Sequence, residues 1–204
     1  MSHYRKIAVS ELRTADIIVS TTDQPASKAI RAAIGADISH SMLYTRMGWV
    51  IEAIAIGVVQ HSLELALQEA TLAIALRRRH MDDSLRQEVV KQALQFEGRP
   101  YDKIGAVGAG MVGSKRVRAG LTAGCILSLP ACVGSAALAA EVANNARDKN
   151  KDKMFFCSEL VARAFELATV PIVDGQPTFT HPRDIRVSSK LLYVGHLKGL
   201  GTLR

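Results

Sequence analysis

Ile38-Ser39-His40-Ser41-Met42-Leu43-Tyr44, a turn at Arg46-Met47-Gly48, then Trp49-Val50-Ile51-Glu52-Ala53-Ile54-Ala55: the fold is decided in this stretch. Apolar and β-branched residues crowd both arms around a glycine, which reads as a hairpin whose first strand opens at His40. Upstream, residues 16–20 make an earlier strand. Pro25 to Ala33 is a short helix with Ser27, Lys28 and Arg31 on its polar side. Downstream, the second arm runs on to Val59 with Gly57 as a bulge or bend. Leu63 to Ala70 is helical in composition, and Leu72 to Arg77 is a further strand. Asp83 then caps a helix from about Ser84 to Phe96, apolar at Leu85, Val89, Ala93 and Phe96 and ended by Gly98. A last strand lies near Leu191 to Leu197. This order predicts an α+β fold, an antiparallel sheet with helices packed on it.

Three residues carry candidate chemistry. In Met154-Phe155-Phe156-Cys157-Ser158-Glu159-Leu160-Val161 a flat apolar run opens directly into a helical pattern. Leu160, Val161, Ala164, Phe165 and Leu167 are spaced there for one buried face. A thiol at the first turn of a helix feels unpaired backbone N–H groups and the positive end of the helix dipole. Both favour the thiolate, which is the nucleophile. Glu52 is the only charge between Trp49 and Gln60, and a carboxylate in so apolar a run needs a partner. His40, on the paired strand, can supply it. Cysteine, histidine and an orienting acid are the three parts of an activated thiol, each of which alone has an ordinary structural explanation. Glu159, in the first turn after Cys157, suits the helix N-terminus electrostatically. His61, His80, His181 and His196 have no motif around them and are expected at the surface.

The motifs in order are Asp16-Ile17-Ile18, Ser39-His40-Ser41, Ile51-Glu52-Ala53, Gly98-Arg99-Pro100-Tyr101-Asp102 and Phe156-Cys157-Ser158-Glu159-Leu160-Val161. This order resembles the circularly permuted branch of the NlpC-type, papain-like cysteine hydrolases, over roughly residues 12–104 and 152–195. Phe156 stands where that family usually has tyrosine, and Ala15 where a glycine usually precedes Asp16. The resemblance implies a papain-like sheet with Cys157 as nucleophile, His40 as base and Glu52 as the third, most variable member. It places Ser39 and Tyr101 on the substrate side, although Tyr101 suits a helix-end cap equally well. The implied activity is a cysteine amidase or endopeptidase acting on peptidoglycan peptides. Lecithin:retinol-type acyltransferases share the permuted arrangement, so a lipid-directed acyl hydrolase or acyltransferase is the alternative. A binding module that merely kept the fold is disfavoured by the three residues standing together.

Composition suits one catalytic domain over residues 1–204. The chain has 204 residues, 48% hydrophobic content and a formal net charge of +7. Its three cysteines, Cys125, Cys132 and Cys157, make no paired framework, and no Cys or His cluster has metal-ligand spacing, so neither disulfides, a metal nor a cofactor is expected. Basic residues gather at Arg77-Arg78-Arg79-His80 and Lys115-Arg116-Val117-Arg118. They lack interleaved aromatics, so nucleic acid is not the expected partner. Between about 105 and 150 lies an insertion of small residues whose stretch from Ala119 to Ala140 carries no charge. Pro130 interrupts it, which favours a helical hairpin over a membrane span and leaves membrane contact by residues 105–143 as the second reading. No apolar stretch of signal-peptide type follows Met1-Ser2-His3-Tyr4-Arg5-Lys6, so the expected place is the cytoplasm of the producing cell. With a cell-wall substrate, that implies delivery to the periplasm of a target cell as an antibacterial toxin. A secretion machine of type VI kind and an immunity protein would be its partners.

Overall fold

The computed structural model describes residues 4–101 and 155–199. The elements are β1 (Ile17–Thr22), α1 (Pro25–Ile34), β2 (His40–Arg46), β3 (Trp49–Ile54), β4 (Gly57–Ser62), α2 (Leu63–Ala66), β5 (Ala70–Arg78), α3 (Asp83–Leu94), α4 (Cys157–Leu167), α5 (Pro182–Arg186) and β6 (Leu191–Lys198). Short 3-10 turns lie at Val9–Glu11 and Pro177–Phe179. The strands form one six-stranded sheet in the order β4-β3-β2-β1-β5-β6. Every neighbouring pair is antiparallel. The α+β class with an antiparallel sheet is therefore as the sequence indicates.

Alternation along the strands gives the sheet two buried faces. Ile17, Val19, Leu43, Ile51, Ala53, Ile74 and Leu76 join Val89, Ala93 and Phe96 from the α3 region and Leu160, Val161, Ala164 and Phe165 of α4. Ile18, Met42, Tyr44, Val50, Ala73 and Ala75 pack instead with Ile7, Leu12 and Leu63. Helices α3 and α4 thus cover one face, and the N-terminal segment with α2 covers the other. That segment is fastened to β6, where Ile7 N–H donates to His196 O at 2.9 Å and His196 N–H to Arg5 O at 2.7 Å.

Several elements differ from the sequence reading. The arm from Trp49 to Val59 is two strands, β3 and β4, joined across Ala55 and Ile56. Gly57, at φ +120°, begins the return. The helix after β4 closes at Ala66 rather than Ala70. Asp82, not Asp83, caps α3, its carboxylate accepting from Leu85 N–H at 2.8 Å. α4 is buried on all sides from Cys157 to Phe165 and not along a single stripe, while Leu167 is exposed. It is wedged between the sheet, α3, the turn at Pro177–Phe179 and α5, so that even its polar residues Ser158, Glu159 and Arg163 are buried.

The basic run Arg77-Arg78-Arg79 is largely engaged with groups of the chain itself. Arg77 grips the fully buried Asp16 with Nε at 2.7 Å and Nη2 at 2.6 Å. Arg78 Nε donates to Pro171 O and Arg79 Nε to Ser189 O. Ala15, beside Asp16, sits at φ +64°, a left-handed conformation that glycine adopts more readily. The insertion near 105–150, with Cys125, Cys132 and its expected hairpin, lies outside the described residues, as does Asp102. Among the described residues no helix is long and apolar enough to cross a membrane.

Candidate active site

Glu52 is the pivot of the site. It lies on β3 with its side chain 4% exposed, and both of its oxygens are occupied by imidazoles. Oε2 meets His40 Nε2 and Oε1 meets His61 Nε2. The pairing register explains the convergence. Glu52 faces Val59 and Val50 faces His61 across β3 and β4, so Glu52 and His61 are diagonal neighbours on one side of the sheet. Continuing the Leu43–Ile51 pairing puts Met42 beside Glu52, with His40 two residues further along the same pleat. Three adjacent strands therefore deliver one residue each.

Cys157 comes from the helical layer. It is the first residue of α4, preceded by Phe156 in extended conformation as the N-cap. The segment leading into it is clamped to the chain after α3. Phe155 N–H donates to Pro100 O at 3.1 Å, Tyr101 and Phe155 form a parallel bridge, and the Phe155 ring packs on Phe96 at 4.5 Å. Behind the thiol, Ser158 Oγ donates to Thr180 O at 2.7 Å, tying the first turn of α4 to the loop before α5.

Cys157 and His40 face each other, and each shifts the ionisation of the other. With Nε2 on Glu52, the imidazole has Nδ1 left for the sulfur. Burial alone would push the Cys157 thiol up. The facing His40 charge and hydrogen bond, with the backbone N–H groups of Ser41 and Ser158, outweigh burial and hold the thiol below its ordinary value. His40 shows the converse. Burial would lower its pKa, but the Cys157 sulfur and then Glu52 raise it well above the usual imidazole value. Burial would likewise raise Glu52, and His40 foremost, with His61, brings it down instead. All three shifts run in the direction that favours thiolate, imidazolium and carboxylate.

Of the residues singled out in the sequence, the structure brings Cys157, His40 and Glu52 together. Tyr101 stands at the bridge with Phe155, half-buried against the helical core. Ser39 is buried with its hydroxyl in a cluster with those of Thr21, at 3.1 Å, and Ser27. That cluster steadies the entry to β2 beside His40. Glu159 is buried in the first turn of α4. Among the histidines expected at the surface, His80 is exposed, but His61, His181 and His196 are not. His181 caps α5, with Nδ1 donating to Phe179 O at 2.9 Å, and His196 pairs with Tyr193. His61 is the residue of the site that sequence reasoning missed. Only the hairpin register could have revealed it, and that required splitting β3 from β4 at Ala55-Ile56.

No known family and no curated protein matches the chain in sequence. In fold it is similar to the crystal structure of the metalloprotein yiiX from Escherichia coli O157:H7, DUF1105. The TM-score is 0.60 and the identity 16%, over 91% of this chain and 97% of that one. These findings overturn the resemblance to permuted NlpC-type, papain-like hydrolases, together with the type VI effector assignment attached to it. Its motifs are a few residues long and encode the chemistry of an activated thiol, which unrelated folds reach independently. At such identity the likeness to yiiX is one of fold.

Proposed function

We propose that this chain is a thiol hydrolase of carbonyl substrates, amide or ester, with Cys157 as nucleophile, His40 as acid and base, and Glu52 orienting His40. The observation that carries the reading is Cys157 at the N-terminus of a buried helix, facing a His40 that Glu52 holds by a hydrogen bond. The thiolate attacks the carbonyl carbon. The imidazolium then gives its proton to the departing nitrogen or oxygen as the C–N or C–O bond breaks, leaving a thioester and neutral His40. Water adds to the thioester, His40 takes its proton, and collapse expels the thiolate and releases the carboxylic acid. The N–H of Cys157 precedes the intrahelical ladder, and beside the sulfur it is a donor for the tetrahedral oxyanion. Glu52 keeps the ring in the useful orientation through both steps.

yiiX is described as a metalloprotein, and the donors here do not suit a metal. Both Nε2 atoms are turned onto the one carboxylate, and His40 faces the Cys157 thiol, so the donors satisfy one another. Among the described residues no group of three or more His, Cys, Asp or Glu side chains is arranged to hold an ion.

The test is product analysis by mass after incubating the purified protein with peptidoglycan fragments and with phospholipid vesicles, the two substrates expected from the sequence. Hydrolysis by the wild type that disappears in Cys157→Ala supports the reading. Hydrolysis that survives in Cys157→Ala ends it, as does a Cys157 that alkylates no faster than an ordinary thiol at neutral pH.

A further inference from the structure

We propose that His61 is a positioning residue of this site, clamping Glu52 by its second oxygen so that the first is held on His40. The inference rests on the thiol-hydrolase reading and adds to it a residue with no place in the three-part arrangement. Glu52 is buried on β3 and bonded by Oε2 to His40 of β2 and by Oε1 to His61 of β4. A carboxylate on a strand keeps rotational freedom about its terminal bonds, and a single hydrogen bond leaves it able to swing. A second donor on the opposite oxygen removes that freedom. It also satisfies an oxygen that would otherwise be buried without a partner, the state that costs most.

The position of His61 suits this task. It is half-buried, with 20% of its side chain exposed, and one hydrogen-bonded strand pairing fixes it relative to Glu52. β4 begins at Gly57, where Val58 N–H donates to Arg99 O at 2.8 Å. The same short segment reaches Phe155 through Pro100 O. The backbone that places His61 is thus continuous with the backbone that places Cys157. Loosening Glu52 weakens the carboxylate's hold on the His40 imidazolium, and the thiolate loses part of its counter-charge. The groups facing the sulfur are His40 and the N–H of Ser41 from β2 and the N–H of Ser158 from α4, so His61 acts on it only through Glu52 and His40.

The experiment titrates Cys157 in the whole protein by its rate of alkylation with iodoacetamide against pH, which requires no knowledge of the substrate. Wild type, His61→Phe, His61→Asn and His61→Gln are compared, with circular dichroism confirming that each is folded. Glutamine can reach Glu52 and donate, asparagine is too short, and phenylalanine has no donor. The expected result is near-wild-type titration for His61→Gln. In His61→Asn and His61→Phe the titration moves to higher pH, with the neutral-pH rate falling by roughly tenfold, the equivalent of about one pKa unit. A folded His61→Asn or His61→Phe that titrates like the wild type overturns the role of His61 and leaves the thiol-hydrolase reading standing. A wild type that titrates as an ordinary thiol overturns both. If His61→Phe fails to fold, the comparison of asparagine with glutamine decides alone, and equal behaviour of the two counts against the proposal.

Discussion

At the scale of single residues, the site is a balance between burial and charge. Burial opposes both the Cys157 thiolate and the His40 imidazolium, yet the two groups together with Glu52 and the backbone N–H groups of Ser41 and Ser158 outweigh it. The sign of the pH dependence follows. The reactive pair exists above the lowered pKa of the thiol and below the raised pKa of the imidazole, so Cys157 should already be reactive at pH values where a free thiol is protonated. Removing the imidazole in His40→Ala leaves burial opposed only by backbone N–H groups, and alkylation rates should show the titration moving upward. An unchanged titration would show that the helix terminus alone sets the thiol. Glu52→Gln keeps a hydrogen bond to His40 but removes the counter-charge, so turnover should fall by about a hundredfold or more with the fold intact. Full activity in that variant would mean that something else holds the ring. The grouping of Cys157, His40 and Glu52 was legible because each is an unusual residue in its local pattern. His61 was not, because nothing in its own neighbourhood, Val59-Gln60-His61-Ser62, marks it out; its meaning comes from a residue across the hairpin.

At the scale of elements, two turns decide whether the strands present these residues in register. β2 and β3 are joined by Met47 and Gly48 at φ +49° and +79°, with Arg46 paired to Trp49. Positive φ at both central residues is the pattern of a type I′ hairpin turn, in which asparagine is favoured at the first position. Met47 is 89% exposed and contributes nothing to packing there. Met47→Asn should relieve the left-handed backbone and stabilise by about 1 kcal/mol, visible as a rise of roughly 2–4 °C in melting temperature for a chain of this size. The turn between β3 and β4 is the opposite case. A Cβ on Gly57 would stand 2.7 Å from Arg99 O, at φ +120°. Gly57→Ala should cost more than about 1 kcal/mol. Because the Arg99-Pro100 segment leads on to Phe155, it should also slow Cys157 alkylation. Loss of stability with unchanged alkylation would uncouple that segment from the site. These hairpins were only partly readable in advance. The glycine at Gly48 announced the first, whereas Ala55-Ile56 has no turn residue and hid the second inside an apolar run.

At the scale of the whole molecule, the sheet divides the work laterally. β2, β3 and β4 hold the site toward one edge, and β5 and β6 at the other hold the N-terminal segment that seals the second buried face. The fold class was legible because alternating apolar strands and a periodic helix leave few other packings. What covers that second face was not, since Arg5 to Leu12 carries no strong pattern and is held by backbone bonds to β6. Gly195 is where the two meet. A Cβ there would lie 2.8 Å from Arg5 O and collide with the Ile7 side chain. Gly195→Ala should push the segment away and expose Ile7 and Leu12, an overpacking cost of about 1–3 kcal/mol. Hydrogen exchange should report it as lost protection at Ile7 and His196, whose amides make the bonds to the opposite chain. β1 and β5 separate β6 from β2, so the disturbance begins about 14 Å from His40 at ordinary strand spacing, beyond the range at which substitutions usually couple. The variant should therefore melt earlier while the alkylation titration of Cys157 stays at its wild-type position. If the titration moves with the melting temperature, the two edges of the sheet act as one unit, and the N-terminal segment belongs to the machinery that holds the thiolate.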